Sequence, residues 1–141
     1  MSTPPNDERT LPVLDSTALL TLAHAAHTDA ACPRCATLQR RGWESLSSTF
    51  DRAALRRVAT LVQPADAHSD GEEPTLSEYH PNGTHSWSPD APIAAAWFPT
   101  NRCEVWGCVD CGRAYLRYTE YGGYYEEERV RWLDVGAVAE C

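Results

Sequence analysis

Cys32-Pro33-Arg34-Cys35 and Cys108-Val109-Asp110-Cys111 each place two thiols on one short turn. Two such C-x-x-C pairs supply the four sulfurs that a tetrahedral zinc ion takes as thiolates. Zinc is redox-inert, and a shell closed by four cysteines leaves no open position for a substrate, so the ion would be structural. Its binding energy would then be folding energy, on the order of 10 kcal/mol. The expected ligands are Cys32, Cys35, Cys108 and Cys111. Possible substitutes are Cys103, which precedes Cys108 by five residues, and His24 and His27, which share one face of a predicted helix just before the first pair.

The same residues allow other chemistry. Cys103-x4-Cys108-x2-Cys111, with Cys141 as a distant fourth thiol, matches the plant-type [2Fe–2S] spacing. The gap between Cys103 and Cys108 holds the bulky Val105 and Trp106, however, where ferredoxin cluster loops are built from small residues. Cys32-Pro-Arg-Cys35 resembles the C-P-x-C redox turn of thioredoxin-like oxidoreductases, where the first thiol is activated at a helix N-terminus. That fold requires a strand before the turn, and the segment here reads as helix. A third alternative is a small metal-dependent enzyme. His80 and His85, near Trp87 and Asp90, would be its acid/base groups or catalytic metal ligands.

These residues must be positioned by secondary structure. Asp15 or Ser16 caps a helix carrying Leu19, Leu20, Leu22 and Ala23 to about His27. Ala36 to Arg41 forms a short helix. Phe50, Ala54, Leu55, Val58 and Leu61 lie at helical spacing after Ser48, which predicts a second full helix from Phe50 to about Leu61. Residues 63–92 hold five prolines and form a long irregular insertion. Ile93 to Phe98 and Glu104 to Trp106 read as strands. Ala114 to Tyr121 and Tyr124 to Leu133 read as a hairpin about Gly122-Gly123. A two-residue turn there sets Tyr121 opposite Tyr124, Tyr115 opposite Val130 and Arg117 opposite Glu128, all favourable cross-strand pairs.

The strand, the Cys108-x-x-Cys111-Gly112 turn and the hairpin together resemble a knuckle of the zinc-ribbon and rubredoxin-like superfamily. The Cys32-Pro-Arg-Cys35 turn resembles the second knuckle. The resemblance covers that turn and residues 103–133, and makes residues 36–102 an insertion. It implies one structural zinc on Cys32, Cys35, Cys108 and Cys111, joining the N-terminal segment to the C-terminal sheet.

Bulk properties narrow the function. The chain has 141 residues, 43% of them hydrophobic, which suits one domain with a modest core. Residues 1–11 read as a disordered tail, and residues 12–141 as a single zinc-stabilised domain. The net charge of −8 disfavours nucleic acid, whose recognition needs a basic footprint. All twelve basic residues are arginine, a composition that fits a GC-rich bacterial genome. No apolar run has the length of a membrane span, and the polar N-terminus has no leader-like apolar region, so the expected location is the cytoplasm. The expected fold is α+β: two or three N-terminal helices packed on a small C-terminal antiparallel sheet, joined through the four-cysteine site. No catalytic triad, P-loop or dinucleotide fingerprint is present. The expected function is a small zinc-binding adaptor whose partner is another protein, met through the Tyr- and Trp-rich sheet and residues 79–98.

Overall fold

The computed structural model describes residues 11–29, 31–38, 42–62, 79, 91–121 and 126–139. Helix α1 spans Ser16–Ala26. The Asp15 side chain caps it by accepting a 2.8 Å bond from the Ala18 N–H, satisfying a donor that the first turn leaves unpaired. Leu19 and Ala23, four residues apart, are buried, and Ala18, Leu22 and Ala26 widen the same stripe. His27 turns to extended backbone and ends the helix. This element agrees with the expectation from sequence. Among the described residues, no helix is long and apolar enough to cross a membrane.

The rest of the framework is sheet. The strands are β1 (Glu44–Ser45), β2 (Leu55–Thr60), β3 (Ile93–Ala94), β4 (Glu104–Cys108), β5 (Ala114–Tyr121), β6 (Glu126–Trp132) and β7 (Val138–Ala139). Five form one antiparallel sheet in the order β1-β6-β5-β4-β2, and β3 and β7 form a small parallel pair. The expected architecture of several N-terminal helices on a small sheet is therefore corrected: among the described residues, one α-helix accompanies an antiparallel sheet of five strands and a small two-stranded sheet.

The expected helix from Phe50 to Leu61 is the source of the error. A 3-10 turn at Arg52–Ala54 leads into β2, which pairs with β4. The register slips between Arg57 and Ala59, so an extra residue is accommodated at Val58. Leu55 lies opposite Cys108, whereas Ala59 lies opposite Val105. Positions 108 and 105 differ by an odd number and face opposite ways, so the bulge passes the strand's apolar side chains from one face of the sheet to the other. Leu55 packs with Tyr115 and Cys108, while Val58, Ala59 and Leu61 pack with α1. A bulged strand feeding two cores imitates helical spacing.

Alternation along the central strands builds those two cores. Cys103, Val105, Ala114, Leu116 and Leu133 face α1 and the β3–β7 pair. Cys108, Tyr115 and Val130 face the first cysteine turn, Leu38 and Leu46. The sheet is thus covered on both faces, with α1 on one and the cysteines on the other.

The hairpin register also differs from the two-residue turn expected. Tyr115 pairs with Trp132, Arg117 with Val130 and Tyr121 with Glu126. This is a shift of two residues, which preserves the face of every side chain. Arg117 still reaches Glu128, now diagonally, through an ion pair that Glu128 also makes with Arg52. The Gly122-Gly123 turn, together with Tyr124 and Tyr125, lies outside the described residues. The strand expected over Ile93 to Phe98 is shorter, ending at Ala94.

Candidate metal centre

The first pair of cysteines is set by a turn and an anchor. Pro33 restricts the backbone between Cys32 and Cys35. A 3-10 turn at Ala36–Leu38 follows, closed by a 2.9 Å bond from the Leu38 N–H to the Cys35 carbonyl. Leu38 is buried in the core on the cysteine face. Tyr115, fully buried on β5, donates its hydroxyl to the Cys35 carbonyl at 3.4 Å, so the sheet holds this turn by its backbone. Burial, then that neighbourhood of thiols, raises the phenol pKa and keeps it a neutral donor.

The second pair grows from the end of β4. Gly112, at φ +81°, takes the left-handed conformation that reverses the chain after Cys111. Two 2.9 Å backbone bonds close the turn, from the Gly112 N–H to the Cys108 carbonyl and from the Cys108 N–H to the Arg113 carbonyl. The turn is tied sideways by a bond from the Val109 N–H to the Ala54 carbonyl, just before β2. A salt bridge joins the two turns at matching positions. Arg34, third residue of the first motif, lies 3.3 Å from Asp110, third residue of the second, and also contacts Asp51.

The four sulfurs meet between these turns. Cys32 Sγ lies 3.8 Å from Cys108 Sγ, and Cys35 Sγ lies 3.6 Å from Cys111 Sγ. All four sulfurs lie within 4.8 Å of one another. Zinc–sulfur bonds of about 2.3 Å place tetrahedral sulfurs about 3.8 Å apart, so the donor set has the size of one such shell. Four cysteines drawn together in this way could hold a metal ion, and the arrangement is compatible with a zinc-ribbon-like site. Cys32, Cys35 and Cys108 are buried, and Cys111 is partly exposed at the rim.

The surroundings are electrostatically specific. Burial pushes the Cys108 thiol up, against backbone N–H groups of Cys111 and Asp110 that favour the thiolate. Burial pushes Cys111 up to about 12, with the Arg113 backbone N–H acting in the opposite direction. The Arg113 guanidinium enters from the end of the second turn. It is only 4% exposed. Its Nη1 lies 3.6 Å from Cys111 Sγ and 3.9 Å from Cys35 Sγ, and its Nη2 donates to the Thr28 carbonyl at 2.9 Å. Burial opposes its charge, but the bond to Cys35 and the neighbouring thiols outweigh that, and its pKa is raised.

The possible substitute ligands go elsewhere. Cys103 is extended just before β4 and lies an odd number of residues from Cys108, which turns it to the opposite face. It is fully buried on the α1 side and its thiol donates to the Pro99 carbonyl at 3.3 Å. His24 on α1 and His27 just past its end are exposed, and His27 faces Asp29 at 3.6 Å. The [2Fe–2S] alternative therefore loses Cys103, and Cys141 lies outside the described residues. After the C-P-x-C turn the chain makes a 3-10 turn over Ala36–Leu38, and residues 39–41 lie outside the described residues. His80, His85, Trp87 and Asp90 lie outside the described residues.

Of the sheet aromatics described, Tyr115 is buried while Trp106, Tyr118 and Trp132 are half-buried. Tyr118 packs edge-on against Trp43 and Phe98, and the Trp106 ring lies 4.4 Å from the Arg117 guanidinium. Arg113 and Tyr115 contact the cysteine turns, and the spacing of cysteines did not reveal them. Their only signal in the sequence is position, one and three residues after the turn glycine. Comparison with protein-family models, with curated proteins and with solved structures finds no match for the chain.

Proposed function

We propose that Cys32, Cys35, Cys108 and Cys111 bind one zinc ion as thiolates, that this zinc is structural, and that the chain is a protein-binding module of a reducing compartment such as the cytoplasm. The observation that carries the zinc reading is the four-sulfur cluster itself, drawn from two turns more than seventy residues apart in sequence. Four cysteines fill a tetrahedral shell, which suits a structural ion rather than a catalytic one. Free thiols persist where glutathione and thioredoxin keep them reduced.

The binding role rests on an open apolar groove beside the centre. It is lined by Leu22 and Ala25 of α1 and by Arg56, Val58, Gly107 and Cys108. Ala25 and Arg56 are exposed, so a partner could reach both. Unfilled apolar surface rimmed by charge is what a protein ligand covers.

The test has two readouts. Purified protein is expected to be colourless with one zinc per chain, and chelation is expected to lower its unfolding temperature sharply. Ala25→Arg is expected to abolish recovery of a co-purifying protein while leaving zinc content unchanged. Chelation without effect on unfolding would contradict the structural role. Partner recovery indifferent to Ala25→Arg, or turnover of a small molecule by the lone chain, would contradict the binding role.

A further inference from the structure

Four thiolates around one divalent cation carry a net charge of −2, and this centre is mostly buried. An uncompensated charge in such a place is costly. Among the basic side chains near the cluster, Arg34 spends its guanidinium on Asp51 and Asp110 at the surface. Arg113 is different. It is buried, and one amino group is shared between the sulfurs of Cys35 and Cys111, which belong to different turns. Its other terminal nitrogen holds the Thr28 carbonyl, two residues beyond the last residue of α1.

We infer that Arg113 is the positioning residue of the metal centre: its guanidinium compensates the tetrathiolate charge, bridges the two cysteine turns, and ties the end of α1 to them. This rests on the zinc reading proposed above. Only a planar fork can do all three at once, because an ammonium has no second arm fixed at a distance from the first. The residue touches ligands rather than the ion, and such outer partners set ligand orientation and affinity. Arg113 follows Gly112 directly, so the left-handed glycine that closes the turn also aims the arginine back over the sulfurs.

The inference is tested with metal itself. Zinc affinity is measured by competition with a chromophoric chelator for the wild type, Arg113→Gln, Arg113→Lys and Arg34→Gln. Each protein is then loaded with saturating cobalt, and the thiolate-to-cobalt charge-transfer band is recorded. Arg113→Gln is expected to weaken zinc binding on the order of 10- to 100-fold. It is also expected to move the band to lower energy, because sulfur lone pairs that lose a cationic donor rise in energy. Arg113→Lys should restore part of both. Arg34→Gln removes the same charge from the same neighbourhood without touching sulfur, and should leave both near wild type.

If Arg113→Gln binds zinc within about threefold of wild type and leaves the band in place, the inference is wrong and the zinc reading stands. Equal losses in Arg34→Gln and Arg113→Gln with no band shift also overturn it, since general charge or folding would then explain the loss. If the wild type gives no thiolate-to-cobalt band, the four-cysteine reading itself fails, and the inference with it.

Discussion

Cys108 and Cys111 differ from ordinary thiols in the direction that matters for metal uptake. Burial raises both, and Cys111 reaches about 12, so in the metal-free protein both carry protons at pH 7. Zinc binds thiolates, so each of these protons must leave as the ion enters. Uptake is therefore expected to release at least two protons per zinc at pH 7, and affinity should climb as pH rises and fall on the acid side. Titration calorimetry in buffers of different ionisation enthalpy measures the number, and a release below one proton would contradict the assignment. At this scale the sequence was informative where chemistry depends on local spacing. The two C-x-x-C turns and the glycine after the second were legible directly. The opposite placement of Cys103 was also implicit in the odd interval to Cys108, once the chain is recognised as extended from Cys103 into β4. Arg113 was not legible, because nothing local distinguishes an arginine that turns inward toward sulfur from one that turns to solvent.

The strands carry the site through their register, and Glu128 shows how. On β6 it accepts from Arg117 on β5 and from Arg52 in the turn before β2, so one carboxylate links three segments. Burial pushes its pKa up, but the two arginine bonds outweigh that and hold it below the ordinary carboxylate value. Such a lowered carboxylate stabilises the fold above the pKa of the unfolded chain, near 4.5, and loses that stabilisation as pH falls through its own lower value. Glu128→Gln is expected to cost about 1 kcal/mol at pH 7, a modest figure because the pair is partly exposed. The difference between the two chains should shrink as pH drops below that range. Urea unfolding of both across pH checks this, and because acid loss of metal affects both alike, a difference that persists at pH 3 would refute it. The C-terminal strands were readable from alternation and turn residues. The register was not, since a shift of two keeps every side chain on its face and favourable pairs such as Arg117 with Glu128 survive it. The strand β2 was hidden because its bulge at Val58 spaces Leu55, Val58 and Leu61 as a helix would.

At the scale of the whole molecule, the four-cysteine cluster stands, among the described residues, where a second layer of regular structure would otherwise lie. One face of the sheet is covered by α1 and the β3–β7 pair. The other packs against the segments that carry Leu38 and Leu46, together with the cysteines. On the proposed reading, a metal held by four cysteines from two distant parts of the chain would anchor that face, as small cores often require. Expecting several helices amounted to expecting a conventional layer there. The central claim is that one ion with four sulfur ligands holds the two turns together. X-ray absorption at the zinc edge of the metal-loaded protein tests it most directly. The account predicts four sulfur scatterers at about 2.3 Å and no light-atom ligand. A shell containing nitrogen or oxygen, or fewer than four sulfurs, would contradict it.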